Sequence, residues 1–332
     1  MSSTVRDAQR AGAPPNLSPT GPGHAPSSST PALAGPPEAV VPTSLSREAS
    51  RRFMANRLSV ASTVVILFLL LLAVLANVLP LQSPFHHGTD LVLDSPPTRK
   101  HWAGTDGNGL DEFSRLIYGM RPAFAVGIIG QVITTVLGAL LGVAAGYYGG
   151  WIDSILARLT DLIFAFPSFL LAFLVVGVFG SQVTQYGGGT GSVVLITIVF
   201  ALVGWPGLMR FVRGLTLSLK EQQFVEAART VGTPNWKIIV RHILPNTWGL
   251  VLVQATFGVG AYISTEAVLS VLGLGVQNPN PDLGVMVNAG IGQLSLNPVE
   301  ALAPSALLTI IVVAFAFVGD GLRDAIDPRG NE

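Results

Sequence analysis

The chain has 332 residues, of which 49% are hydrophobic and only 11% charged, and its formal net charge is zero. Soluble domains carry about 25% charged residues, so this composition excludes an ordinary soluble enzyme and a basic nucleic-acid binder. The absence of cysteine also excludes disulfides, thiolate catalysis, lipid attachment through cysteine and cysteine-ligated metals.

Residues 1–46 are rich in Pro, Ser, Ala and Gly without apolar periodicity. Such a stretch cannot bury enough surface to offset chain entropy and reads as a disordered tail. It is not read as a targeting peptide, because the first apolar run begins near Ser59 and is long enough to span a bilayer. Six spans follow by the bilayer-length rule: 59–79, 123–146, 159–179, 192–212, 247–269 and 302–319. Gly138, Gly142 and Gly146 recur every four residues in the second. Such a stripe lets two helices approach closely, so this span is expected to face protein; the alternative is the ordinary abundance of glycine in membrane helices.

Cations set the orientation. Arg47, Arg51, Arg52 and Arg57 precede the first span. Arg210, Arg213, Lys220, Arg229, Lys237 and Arg241 crowd the region between the fourth and fifth, and Arg323 and Arg329 follow the last. An even number of crossings puts all three groups on one side, expected to be the cytoplasm, with both termini there. The loop 80–121, the glycine-rich turn near Gly187 and the stretch 273–301 then face outward. Within the first of these, Leu110, Phe113, Leu116, Ile117 and Met120 share a helical face. A short amphipathic helix at the membrane surface is expected there, with Asp111 and Arg115 paired four residues apart.

The segment between the fourth and fifth spans reads as two helices. The first, 219–231, ends at Gly232, which suits a left-handed helix stop. The second is capped by Thr233, has Pro234 at its first position, and must stop or kink at Pro245. Ala227 and Ala228 leave the first helix thin enough for another protein to approach, and Glu226 offers an acceptor to a basic partner. A DNA-reading helix-turn-helix is ruled out because spans flank the segment so closely that no supporting helical core fits.

The chain lacks the phosphate-binding pattern GxxxxGK[ST]: its lysines are Lys100, Lys220 and Lys237, and none follows a glycine. ATP hydrolysis is therefore not expected of it. An ion-driven carrier would place ionisable residues deep in its helices. Glu266 lies inside a span near its outer end, and Asp161 and Asp320 lie near cytoplasmic helix ends; all three are read as orienting helices. An intramembrane enzyme finds no HExxH or GxSxG. His86, His87 and His101 read as a solvated loop, with an outer metal site as the alternative.

The pattern Glu226-Ala227-Ala228, Gly232 and Leu244-Pro245 resembles the signature loop of permease subunits of bacterial ABC importers, with His242 where isoleucine is frequent. Three further stretches resemble the dipeptide and oligopeptide branch: Gly104-Thr105-Asp106 with Asp111, Ser114 to Gly119 and Arg121; Leu269 to Gln277; and Gly319 to Arg329. Leu110 and Leu283 depart from it, standing where arginine and tryptophan are usual. The resemblance implies an all-α polytopic membrane protein with the six-helix type I importer permease fold and a cytoplasmic coupling helix. It implies a division into a tail (1–46), a first span with its outer loop (47–100) and the permease domain (101–332), whose coupling loop covers about 213–246. Glu226, Ala227, Ala228, Gly232, Leu244 and Pro245 would couple to the ATPase, and Asp106, Asp111, Arg115 and Arg121 would meet a receptor on the outer face. The implied partners are a homologous second permease, two cytoplasmic ATPases binding ATP and Mg, an extracytoplasmic substrate-binding protein, a peptide substrate and the lipid of a bacterial cell membrane. This chain itself would carry no cofactor or metal and bind no nucleic acid. A nickel or haem importer permease is the alternative.

Overall fold

A computed structural model of the chain describes residues 45–85, 92–276 and 280–326, with side chains from Glu48 onward. The tail expected over 1–46, except its last two residues, lies outside the described residues, as do His86, His87 and the closing Asp327-Pro328-Arg329. The described residues belong to one compact unit, Thr43–Glu332, and no strand occurs among them beyond an isolated bridge between Thr105 and Asp111.

Helix α1 (Leu45–Ala55) leads through the capping residue Asn56 into α2 (Arg57–Leu75). At 1.5 Å per residue, the 19 residues of α2 reach about 28 Å, the thickness of a hydrocarbon core. Its sidedness inverts that of a soluble helix. Ser59, Ser62 and Ala73 point inward together with Ile66, while Val64, Leu67, Phe68, Leu71 and Val74 are exposed. Lipid is as apolar as leucine, so small and polar residues can share the helix contacts while most large ones face the bilayer. Ser59 Oγ donates to Phe317 O at 3.1 Å, joining this helix to the last one, α11 (Val299–Ile326).

Helix α3 (Glu112–Phe124) runs through a π-helical stretch, Ala125–Ile129, into α4 (Gly130–Tyr148). The expected surface helix over 110–120 is thus the opening turns of the second crossing, a continuous helix over Glu112–Tyr148. The stripe Gly138, Gly142, Gly146 faces protein as expected. A Cβ on Gly142 would lie 2.6 Å from Met209 O and 2.8 Å from Val212 Cβ, and one on Gly146 would lie 2.7 Å from Thr216 Cβ.

Helix α5 (Gly150–Phe164) is separate, ending before Pro167, and α6 (Ser168–Leu219) begins just after it. The third expected span, 159–179, is therefore cut in two, because a proline cannot donate to the preceding turn. A straight 52-residue helix would reach about 78 Å, more than twice a bilayer core. Instead α6 reverses at Gly188 (φ 57°, ψ −150°), a left-handed position open to glycine. Thr184 Oγ1 and Ser192 Oγ consequently lie 2.8 Å apart across the turn. Among the described residues five helices are long and apolar enough to cross a membrane, and the fold-back of α6 supplies a sixth crossing. The short helices α7 (Gln223–Thr230) and α8 (Asn235–Ile238) follow, then a second π stretch (Ile239–Ile243), α9 (Leu244–Val271), α10 (Leu283–Gly292) and α11. Tyr262 of α9 ties three crossings together: its hydroxyl pairs with Thr134 Oγ1 at 2.7 Å and donates to Phe200 O at 2.8 Å.

Candidate coupling site

The segment between α6 and α9 is built from local signals. Helix α7 is shorter than the expected 219–231, because α6 itself continues to Leu219 and Lys220–Gln222 forms the turn between them. At its end Gly232 has φ 81°, Gly232 N–H donates to Arg229 O at 2.9 Å and Thr233 N–H to Ala228 O at 3.0 Å. This is the two-bond Schellman stop, which needs a left-handed residue where glycine stands. Thr233 does not cap the next helix; Pro234 is itself the N-cap of α8, in extended backbone, with no side-chain cap bond. Nor does the helix stop at Pro245. The π stretch Ile239–Ile243 absorbs the missing N–H, and helix continues from Asn235 to Val271.

Side chains that the sequence reading passed over anchor this unit. Val225, Ile238 and Ile243 are fully buried, packed with Ala139, Val143 and Tyr147 of α4 and Leu208 and Val212 of α6. Tyr147 Oη donates to Asn235 Oδ1 at 2.9 Å, and the Arg229 guanidinium lies 5.3 Å above the Tyr147 ring. Lys220 Nζ donates to the Gly146 carbonyl at 3.1 Å. The signal for Val225 was present: it stands three before Ala228, on the same helical face. Tyr147 carried none, since its partners are about 80 residues away. The same end of the fold carries paired charges. Arg213 donates to both carboxylate oxygens of Asp153, and Arg210 pairs with Asp161. The hydrogen bond from Arg213 holds the Asp153 carboxyl below the usual carboxylate range.

Glu226, Ala227, Gly232 and Pro245 are exposed, while Ala228 and Leu244 are half-buried against the anchoring cluster. Around them Phe224, Val231, Trp236 and Val240 are also exposed, Val231 to 85%. An apolar patch this exposed at the basic, polar end of the chain, flanked by Glu226, Arg229, Lys237 and Arg241, has the make-up of a protein-docking surface. The structure brings the six coupling candidates into this one unit. Its core is shared with α4 and α6.

The four residues expected to meet a receptor lie at the other end, and they do different work. Asp106, Asp111 and Arg115 are buried, which removes them from direct contact with a docking protein. Asp106 Oδ1 accepts from Leu110 N–H at 2.8 Å and Asn108 N–H at 3.0 Å, closing a tight loop. Asp111 does not pair with Arg115. Its Oδ2 caps α3 by accepting from Ser114 N–H at 2.8 Å, and its Oδ1 lies 2.9 Å from His101 Nδ1. His101 is thereby buried in the fold rather than solvated. Arg115 instead approaches Asp106, with Nε 3.8 Å from Oδ2. Arg121 donates to Ala73 O, Asn77 Oδ1 and Val74 O at 2.6, 3.0 and 3.3 Å, satisfying the open carbonyls at the end of α2. Leu110 and Leu283 are both buried, so these departures from the family pattern alter packing rather than an exposed contact. Arg121→Ala is expected to loosen the first crossing from the second, lowering thermal stability by about 1–3 kcal/mol. Arg121→Lys, a single point donor, should recover part of that loss. Melting of the purified protein in detergent measures both.

Residues 138–331 match the family described as the inner membrane component of binding-protein-dependent transport systems. Residues 44–97 match the N-terminal transmembrane domain of oligopeptide transport permease C. The chain is 39% identical over 284 residues to a glutathione transport system permease protein of Pectobacterium atrosepticum, a match covering 85% of this chain and 91% of that protein. It is 36% identical over 308 residues to a dipeptide transport system permease protein of Alkalihalophilus pseudofirmus, covering 92% and 98%. Against an oligopeptide transport system permease protein of Haemophilus influenzae the identity is 37% over 290 residues, covering 86% and 89%.

Proposed function

Since the chain belongs to the inner membrane components of binding-protein-dependent transport systems, the permease subunits of ABC importers, we propose that it forms half of the translocation path of an importer for small peptides. A homologous permease completes the path, two ATPase subunits dock on the basic end, and a substrate-binding protein docks on the far end. The basic end, with both termini, faces the cytoplasm; the unequal placement of arginine and lysine supports this. Residues 47–100 act as a peripheral first crossing, and residues 101–332 as the working domain.

The observation that carries this reading is the α7–α8 unit: the exposed apolar Phe224, Val231, Trp236 and Val240 beside Glu226, Ala227 and Gly232, backed by the fully buried Val225 and Ile238. Closure of the ATPase pair displaces this unit as a rigid body, and α4 and α6 follow because they share its core. Glu226 meets a basic group of the ATPase, and Ala227 and Ala228 admit its surface. Near the outer turn of α6, a cavity of about 490 Å³ has apolar walls of Val176, Leu195 and Leu274 that carry Ser181, Thr184 and Gln185. Its neutral hydrogen-bonding groups suit the amide backbone shared by all peptides rather than any one side chain.

Glu226→Lys places a cation where the partner's cation is expected. Like-charge opposition at an interface costs several kcal/mol, so ATP-driven uptake into proteoliposomes should fall at least about tenfold. The level of the chain in the membrane should not change, since Glu226 is exposed. Unchanged uptake in this variant would exclude Glu226 from the coupling contact.

A further inference from the structure

Two carboxyl side chains unconnected with the coupling unit are buried together at the far end of α9. Glu266 lies five residues before the end of that helix, and Asp282 precedes α10; both are fully shielded from solvent. Glu266 lies near the end of its crossing and is fully buried there. Ser270 Oγ donates to Glu266 Oε1 at 2.8 Å, and Asp282 Oδ1 accepts from Val285 N–H at 3.0 Å, capping α10. The remaining oxygens, Glu266 Oε2 and Asp282 Oδ2, find no donor among the described protein groups. Ser270 acts on both carboxyls, so the two sit side by side with one unpartnered oxygen on each. Ionised carboxylates only accept, so a bond between two of them requires a proton on one.

Among the described residues no cationic side chain takes that place. Helix α3 contributes Glu112, Arg115 and Arg121 at this end, and α11 contributes Glu300, but none of them acts on either carboxyl. Arg115 faces Asp106, and Arg121 is spent on the carbonyls of α2. The charged groups of α6, Arg210 and Arg213, pair with Asp161 and Asp153 at the basic end. Residues 277–279, outside the described set, are Gln, Asn and Pro and bring no charge. Helix α10 packs closely on α9 beside the pair: a Cβ on Gly284 would lie 2.5 Å from Ala267 O and 2.6 Å from Ser270 Cβ.

We propose that Glu266 and Asp282 form a proton-binding site, in which one proton shared between Glu266 Oε2 and Asp282 Oδ2 ties the outer end of α9 to the start of α10. The bound pair carries a single negative charge, held by the Ser270 hydroxyl and the amides that open α10. Loss of the proton leaves two adjacent buried carboxylates, which repel each other and drive the two elements apart. Burial pushes the Asp282 carboxyl above its ordinary value of 3.8, against the hydrogen bonds that pull it down. Stability contributed by the pair is therefore complete at acidic pH and is lost as pH rises through the raised value. The protonated fraction falls about tenfold for each pH unit above that midpoint.

The test uses the assembled importer, comparing wild type with the double variant Glu266→Gln/Asp282→Asn, whose amides keep the shape and cannot titrate. At neutral pH, infrared difference spectra in light and heavy water should show one protonated-carboxyl stretch in the wild type over and above any that the double variant shares, such as that of the buried Glu112. That band should vanish at alkaline pH and be missing from the double variant. The melting temperature of the wild type should fall over the same alkaline range, and that of the double variant should not. Two carboxyl stretches lost in the double variant, or none, would overturn the shared proton, as would an identical pH profile in both proteins. Should the double variant fail to assemble, Ser270→Ala decides: the wild-type band must shift in it, and an unshifted band contradicts the site. None of these readouts depends on the transported substrate, so failure here leaves the transport assignment standing.

Discussion

Gly142→Val is expected to leave little folded protein in the membrane. A Cβ at that position already sits 2.6 Å from the Met209 carbonyl oxygen and 2.8 Å from Val212 Cβ, and neither is the tip of a flexible side chain. Helices α4 and α6 meet along this stripe, so accommodating valine forces them apart over their whole contact. Overpacking of a well-filled core costs about 1–3 kcal/mol, and a clash with backbone sits at or above the top of that range. Gly207→Ala is the matching control. It lies in the same α6 helix, with nothing within 4 Å of its would-be Cβ. There alanine should be neutral or stabilise by up to about 1 kcal/mol through helix propensity. Thermal melting in detergent separates the two cases. Equal melting temperatures would mean that α4 and α6 do not pack through this stripe.

The second large effect is expected at Gly232, and it differs in kind. No atom lies within 4 Å of a Cβ built there, so volume is not at issue; the φ of 81° is. A left-handed residue with a side chain costs about 1–2 kcal/mol, and a β-branched one more. Gly232→Val should therefore give up the Schellman stop and turn α7 away from its docking position, while Val225 and Ile238 keep the crossings assembled. The expected result is normal membrane insertion, a loss of ATP-driven uptake of at least about tenfold, and ATPase activity no longer stimulated by substrate. Gly232→Asn should restore part of the uptake, because asparagine tolerates the left-handed region. Equal uptake by the Val and Asn variants would show that the conformation at this residue does not matter for coupling.

What the sequence revealed and what it hid divide along physical lines. The crossings were legible because apolar length and flanking cations are local properties of the chain. So was the stop at Gly232, where one residue supplies an otherwise disfavoured φ. The break at Pro167 and the continuation through Pro245 were not separable by eye. Both are prolines beside apolar runs, yet one ends a helix while the other is absorbed by a π stretch set by tertiary packing. The polar residues between the first two crossings misled for a related reason. Asp106, Asp111 and Arg115 look like surface charges in a loop of mixed sign, but their partners, His101 and the backbone amides of residues 108, 110 and 114, become visible only once the loop is folded. The anchoring of α7 through Tyr147 and Asn235 spans 88 positions and leaves no trace in spacing.

Cross-linking tests the central claim most directly, namely that energy enters this permease from a separate ATPase through the exposed face of α7. The chain has no cysteine of its own, so Ala227→Cys introduces a unique thiol at that face and Asn108→Cys one at the opposite end. In the assembled importer, a short bifunctional reagent should join the Ala227→Cys variant to an ATPase subunit and leave the Asn108→Cys variant unjoined to it. An ATPase cross-linked through position 108, or none captured through position 227, would contradict the account.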